Sequence, residues 1–287
     1  MTETTLAATA ARPRTEEADL ATWATEEQGR RVRSRRRHRT WVWSLRIGLL
    51  ATGLLIWQLL ASDSASSAIT ISSPGAVFDY LREQLPTSEY WTNIGVTMKE
   101  AGIGFGLSAV AAVFFAFLLS SSPLVTDVMN PLLNFLNSLP RIAFAPLFIA
   151  WFGLGELPQI VLVFTLCFFV VLNGAMVGLA SVDPDLKLLS EQLGVNHRSY
   201  FTKVRWPHAV PSIFGALRLS LIYSFLGAMT GEMLTGNAGA GAEIAKQSGL
   251  LQMDAVFGIL FTLGVVVSIS VELLRAVESR LCRWQKV

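Results

Sequence analysis

Three polar side chains stand inside otherwise apolar runs: Arg141, Asn173 and Glu232. A charge at the centre of a bilayer costs about 3 kcal/mol or more, so such a group is kept there by a partner or by a task. A guanidinium at position 141 suits either of two roles. It can meet an anion in transit, or it can pair structurally and snorkel toward the interface. Glu232 precedes the glycine-rich GNAGAGAEIA and either lines an outer gate or ends a helix. Asn173, beside Gly174, leaves the same two kinds of role open. Catalysis is excluded more firmly. His38, His197 and His208 are scattered, as are Cys167 and Cys282, so neither a metal set nor a disulfide framework is expected. The sequence holds no G-x-S-x-G, which ranks a membrane enzyme last, and no Gly-Lys pair, so the chain cannot form a P-loop.

A second constellation is polar and basic: LSEQLGVNHRSYFTKVRWPHAVPS, residues 189–212, wedged between two apolar runs. Upstream of it, Asp183 is placed to cap a helix, with Pro184 at the first helical position and Asp185 in the first turn. Gly194 supplies a left-handed stop. Asn196 can cap a second helix, in which Tyr200, Phe201 and Val204 share a face at helical spacing. Pro207 is expected to end it, because the residue before a proline is pushed out of the helical region. The segment therefore reads as two short helices joined by a glycine elbow. It is either a cap over its own bundle or a docking element that offers Phe201 and Tyr200 to a groove.

The elements that position these residues are membrane spans. Of 287 residues, 52% are hydrophobic and 15% charged, with mean hydropathy +0.48, against about 25% charged for soluble domains. Crossing about 30 Å of hydrocarbon takes about 20 helical residues. That ruler finds six spans, at 41–61, 101–120, 132–153, 158–180, 209–232 and 255–274. The third is punctuated by Pro131, Pro140 and Pro146, which is tolerated only where neighbouring helices or water satisfy the freed carbonyls. Three G-x-x-x-G pairs, Gly102/Gly106, Gly174/Gly178 and Gly227/Gly231, promise close helix packing.

Residues 1–40 read as a disordered tail ending in RRVRSRRRHR, which directly abuts the first span. We read this run as a cytoplasmic anchor touching anionic lipid rather than as a nucleic-acid site. With the N-terminus inside, seventeen of the 23 Lys and Arg lie on the cytoplasmic side, including Lys187, Arg198, Lys203 and Arg205. Both termini are then cytoplasmic. Residues 62–99 form an extracytoplasmic segment with one short amphipathic helix after Ser73-Pro74. Residues 100–275 form the core with its cytoplasmic segment 183–207, and 276–287 a final tail.

The segment resembles the cytoplasmic signature of permease subunits of binding-protein-dependent ABC importers. Gly194 is followed, after nine residues, by Val204, Arg205, Trp206 and Pro207. The family's Glu-Ala-Ala triplet is Leu188, Leu189 and Ser190 here, and the nearest acid is Glu191. The stretch LPRIAFAPLFIAWFGLGELPQI (139–160) is similar to the corresponding run of nitrate/sulfonate/taurine-type permeases, with Arg141 where that group often carries a second proline. SPGAVFDYL, GLASVDPDLKLL and PSIFGALRLSL fit the same group.

The resemblance implies an all-α integral membrane protein of the bacterial cytoplasmic membrane, one N-terminal helix plus a five-helix type I importer core. It implies a homodimer or pseudo-dimer, an extracytoplasmic solute-binding protein and a separate cytoplasmic ATPase. That ATPase carries the ATP and magnesium, so this chain has no cofactor and is no enzyme. The coupling residues implied are Glu191, Gly194, Asn196, Arg198, Tyr200, Phe201, Val204 and Pro207; Arg141, Asn173 and Glu232 are candidates for the path. The solute class implied is a small anion such as a sulfonate, taurine or nitrate. The alternative is a stand-alone secondary transporter, which would want intramembrane carboxylates for ion coupling.

Overall fold

The computed structural model describes residues 41–61 and 71–282. The basic run Arg30–Arg39, the tail before it and residues 283–287 lie outside the described residues. The chain divides into two units. The first contributes a single described helix, α1 (Trp41–Ala61), long and apolar enough to cross a membrane. Within it the Arg46 guanidinium lies over the Trp43 ring at 5.6 Å.

The second unit begins with α2 (Pro74–Gln84), capped by Ser73, whose Oγ accepts the Ala76 N–H at 3.2 Å. Next comes α3 (Ser88–Leu119), which starts well before its apolar run and so carries a polar first third. The third expected span is broken. Helix α4 (Pro123–Ser138) gives way at Leu139-Pro140 to a 3-10 turn (Arg141–Phe144) and α5 (Ala145–Phe152), with a 73° bend. The cause is local. Leu139 precedes a proline and takes an extended backbone, φ −69°, ψ 137°. Then follow α6 (Leu157–Ala180), α7 (Pro184–Gln192) and α8 (His197–Tyr200), a π turn (Phe201–Arg205), and α9 (Trp206–Thr235). The short α10 (Ala240–Gly249) and the long α11 (Met253–Leu281) close the unit. Five helices are long and apolar enough to span, or six with the bent pair. The fold is thus the expected all-helical membrane bundle.

Helix α6 packs most extensively of all, against α9 and α3, which also meet each other. Between helices in lipid the hydrophobic effect supplies little, so close contact depends on small residues. Gly174 meets Ala216, and Gly178 meets Ser212 and Ala209, at spacings that leave no room for a Cβ. Ser212 Oγ adds a hydrogen bond to the Gly174 carbonyl, 2.9 Å. Gly227 and Gly231 press on Val163, Leu166 and Gln159 in the same way, whereas Gly102 and Gly106 face open space. Two of the three glycine pairs are therefore consumed within the chain. At the far end from segment 183–207, α2, α3, α10 and α11 share a second core of Tyr80, Tyr90, Ile94, Ile244 and Ile259.

Candidate functional site

At the end of the bundle where α3 and α6 stop, segment 183–207 forms the helical elbow. Asp183 Oδ1 accepts the Asp185 N–H at 2.9 Å, opening α7. Gly194 takes φ +67°, and Asn196 Oδ1 accepts the Ser199 N–H at 2.7 Å, opening α8. Pro207 does not end this helix: α8, the π turn and α9 run on from Arg198 to Thr235. Proline sits in the first turn of α9, where its missing N–H costs nothing. The wide π turn just before it absorbs the mismatch, leaving Trp206 in the helical region.

The docking candidates separate into two groups. Glu191, Gly194, Asn196 and Arg198 are exposed, while Tyr200, Phe201, Val204 and Pro207 are half-buried. The Phe201 ring turns inward and packs edge-on against Phe117 of α3, 4.8 Å between centroids. Most of its ring is therefore turned toward α3, although it remains partly exposed. What α7 and its C-cap residue Leu193 do present is a row of leucines, with Leu186 44%, Leu189 51% and Leu193 71% exposed. Their i, i+3, i+7 spacing places them on one side of the helix.

One residue that sequence reasoning counted only as a positive charge organises the base of the segment. Arg205 Nε donates to the Leu179 carbonyl at 2.9 Å and Nη1 to the Ser120 carbonyl at 3.0 Å. Its partners come from α6 and from the C-cap of α3, distant in sequence, so no local pattern could reveal it.

The path candidates also separate. Arg141 sits at the broken span, where its Nη2 donates to the Leu136 and Asn137 carbonyls and to Asn137 Oδ1, 3.3, 3.0 and 2.7 Å. These are the terminal carbonyls that the bend deprives of helical partners. Its guanidinium lies 4.4 Å over the Phe169 ring of α6. Among the described residues, no acceptor is bonded to its Nε or Nη1. Phe169, Asn173 and Val177 follow one another at i, i+4, i+8 on α6, and Asn173 is exposed. Arg141 thus stacks on α6 one helical turn from Asn173, on the same side of that helix. Glu232 is not part of this pair. Wholly buried, its Oε2 accepts from Thr97 Oγ1 at 3.0 Å and from the Gly241 N–H at 2.6 Å, and Thr97 Oγ1 accepts the Ala240 N–H at 2.9 Å. It caps α10 from a neighbouring helix. Glu100, also buried, sets its carboxyl beside Glu232; Thr97 and Glu100 were both missed.

Near that end a cleft of about 400 Å³ is lined by Tyr80, Gln84, Glu89, Asn93, Glu243 and Asp254, among others. Burial, then Tyr90, Glu243 and Asp254, push the Tyr80 phenol up to about 12. Three carboxylates make this cleft unsuited to an anion. Arg218, another charge inside a span, is paired with Glu278 of α11 at 3.5 Å.

The family described as "Binding-protein-dependent transport system inner membrane component" matches residues 104–282, which include the whole elbow and its Gly194–Pro207 register. The chain belongs to that family. This permease is 27% identical over 254 residues to SsuC of Bacillus subtilis (strain 168), named for aliphatic sulfonates transport, covering 88% of this chain and 92% of SsuC. It is 23% identical to the taurine transport system permease protein TauC of Escherichia coli (strain K12), over 84% of this chain and 90% of TauC. The MetNI methionine ABC transporter, in inward-facing conformations, shares the fold with a TM-score of 0.50 at 18% identity, over 71% of this chain and 95% of that one. The protein is therefore a multi-pass permease subunit of an ABC importer in the inner membrane.

Proposed function

We propose that this permease moves a small anion, a sulfonate, taurine or nitrate, along the face that carries Arg141 and Asn173. Its elbow 183–207 lies in the cytoplasm and receives a separate ATPase that binds the ATP and magnesium. A second copy completes the path, and an extracytoplasmic binding protein delivers the solute from the end bearing α2 and α10. Both termini are cytoplasmic, a reading that the distribution of basic residues supports.

The observation that carries the docking reading is the leucine row of α7. Apolar side chains held out on a rigid, capped helix, in a segment otherwise polar and basic, are the shape that fits a groove. Glu191 and Arg198 lie on the exposed rim. Leu189→Asp combined with Leu193→Asp should leave the permease in the membrane and abolish ATPase co-purification, as expected when buried anchors worth about 2–4 kcal/mol each are lost. Undiminished co-purification would overturn it.

The anion reading is carried by Arg141. A guanidinium halfway along a span, without a carboxylate in ion-pair range among the described residues, retains donors on Nε and Nη1 for a sulfonate or nitrate oxygen. Asn173 supports the same face, since an exposed amide there would be costly against lipid. Arg141→Gln should raise the half-saturation concentration for taurine or an alkanesulfonate by about tenfold or more, the weight of a charge-assisted hydrogen bond. Unchanged anion uptake, or equal uptake of an uncharged solute by the parent protein, would rule the reading out. A stand-alone secondary transporter would need carboxylates open to the path, but Glu100 and Glu232 are both buried and Glu232 is occupied by α10.

A further inference from the structure

We propose that Arg205 is the positioning residue that makes the elbow and the spanning helices α3 and α6 move as one body. The inference rests on the reading of α7 as the ATPase-docking helix, and concerns what happens to a displacement once it arrives there.

A push on α7 has three routes into the bundle. One is covalent, back through Ser181–Asp183 into the end of α6, and this is an irregular link of three residues. Another is covalent and forward, through the π turn into α9. A π turn interrupts the regular i→i−4 ladder and is a usual site of helix kinks, so it is a bend point rather than a stiff rod. The third is lateral, and it is made by side chains at that joint. Phe201, the first residue of the turn, packs its ring on Phe117 of α3. Arg205, the last, reaches both other helices at once. Among the described residues, the hydrogen bonds of residues 184–200 are all local to the segment. The lateral polar link is therefore Arg205.

Its chemistry suits the task. The Ser120 and Leu179 carbonyls lie at the C-terminal ends of their helices, where no intrahelical N–H remains to bond them and the helix dipole is negative. A cation there satisfies two stranded acceptors and two dipole ends together. The guanidinium is planar, so donors on Nε and Nη1 keep a fixed separation and fix the spacing of the two helix ends with it. A lysine could supply the charge but not the fork. The side chain is half-buried, so solvent screens these bonds less than at an open surface.

The test uses the full chain co-expressed with its ATPase, with Cys167 and Cys282 replaced by Ser and spin labels placed at Ser121→Cys, at the end of α3, and Gln192→Cys, at the end of α7. In the parent the label-to-label distance should form one narrow distribution, unchanged by ATP with orthovanadate, because the two ends travel together. In Arg205→Ala the ATPase should still co-purify, while ATP with orthovanadate broadens the distribution at least about twofold. Arg205→Lys, which keeps the charge and serves if the alanine variant does not fold, should broaden it about half as much. A parent-like width in the nucleotide-bound state of either variant would overturn the proposal. So would loss of ATPase binding in Arg205→Ala alongside normal membrane insertion, since Arg205 would then belong to the docking face. Failure of the parent itself to retain an ATPase counts against the docking reading instead.

Discussion

At one end of α9 a cation gathers carbonyl groups; at the other a carboxyl group gathers amides. Arg205, just before the helix, collects the terminal carbonyls of α3 and α6. Glu232, in its last turn, collects the Gly241 N–H directly and the Ala240 N–H through Thr97. Each group suits the backbone it meets, because helix C-termini are negative and N-termini positive. The two clasps differ in setting. Arg205 stands half-buried beside a π turn and an exposed elbow, where a change of position is tolerable. Glu232 is wholly enclosed, and its carboxyl group fills the space that a side chain on Gly239 would need. Gly239 has φ +99°, so both its backbone and its surroundings admit only glycine. The contrast teaches that one end is built to hold its shape and the other to pass on a displacement.

The comparison breaks most readily at Glu232. Glu232→Ala leaves the Gly241 N–H without its acceptor in a closed site and the Thr97 hydroxyl with only the Asn93 carbonyl at 3.3 Å, and a stranded buried donor costs about 1–3 kcal/mol before the cavity is counted. We expect a loss of about 3 kcal/mol, read as a markedly lower melting temperature in detergent, with α10 the first region to exchange its amide hydrogens. Glu232→Gln keeps an acceptor and the volume, so it should recover most of that loss. If alanine melts with the parent, the Glu232 end is no rigid clasp.

Thr97→Val is the next smaller step. The substitution keeps shape and burial but removes the hydroxyl linking Glu232 to Ala240, and should cost about 1–2 kcal/mol. Glu232→Ala and Thr97→Val should also be non-additive when combined, since the residues share partners. Additive losses would mean that the two bonds act separately and that α10 has two independent caps.

How much of this was legible follows from the range of each interaction. Asp183, Gly194 and Asn196 signal their caps and elbow within three residues, and the chain folds there as those signals direct. The glycine pairs announced close packing, but nothing in them distinguished Gly174 and Gly178, which meet α9, from Gly102 and Gly106, which meet nothing in this unit. Pro207 misled because a proline that stops one helix is equally at home in the first turn of the next. The inward turn of Phe201 depends on Phe117, 84 positions away, and Arg205 on carbonyls 26 and 85 positions away. A charge whose partners are backbone atoms of other helices has no signature in residue types. Glu100 is hidden for a different reason: it lies in the polar start of a span, and its neighbour is the Glu232 carboxyl of another helix.

The smallest expected effect sharpens the comparison by isolating burial from charge. Lys99 and Glu156 form a short ion pair, 2.6 Å, at the same end of the bundle as Glu232. By distance alone it rivals the buried clasp, yet its side chains are 54% and 47% exposed. Water competes for both groups, and ordering two long side chains costs entropy, so such pairs contribute about 0–1 kcal/mol. Lys99→Ala should therefore shift the melting temperature much less than Thr97→Val does, and the shift should shrink further as salt rises. The Thr97→Val shift should hardly respond to salt, because its bonds are closed to solvent. Were the two substitutions to cost the same at low and high salt, burial would not be what separates a clasp from a surface contact, and the stiffness assigned to the Glu232 end would lose its physical basis.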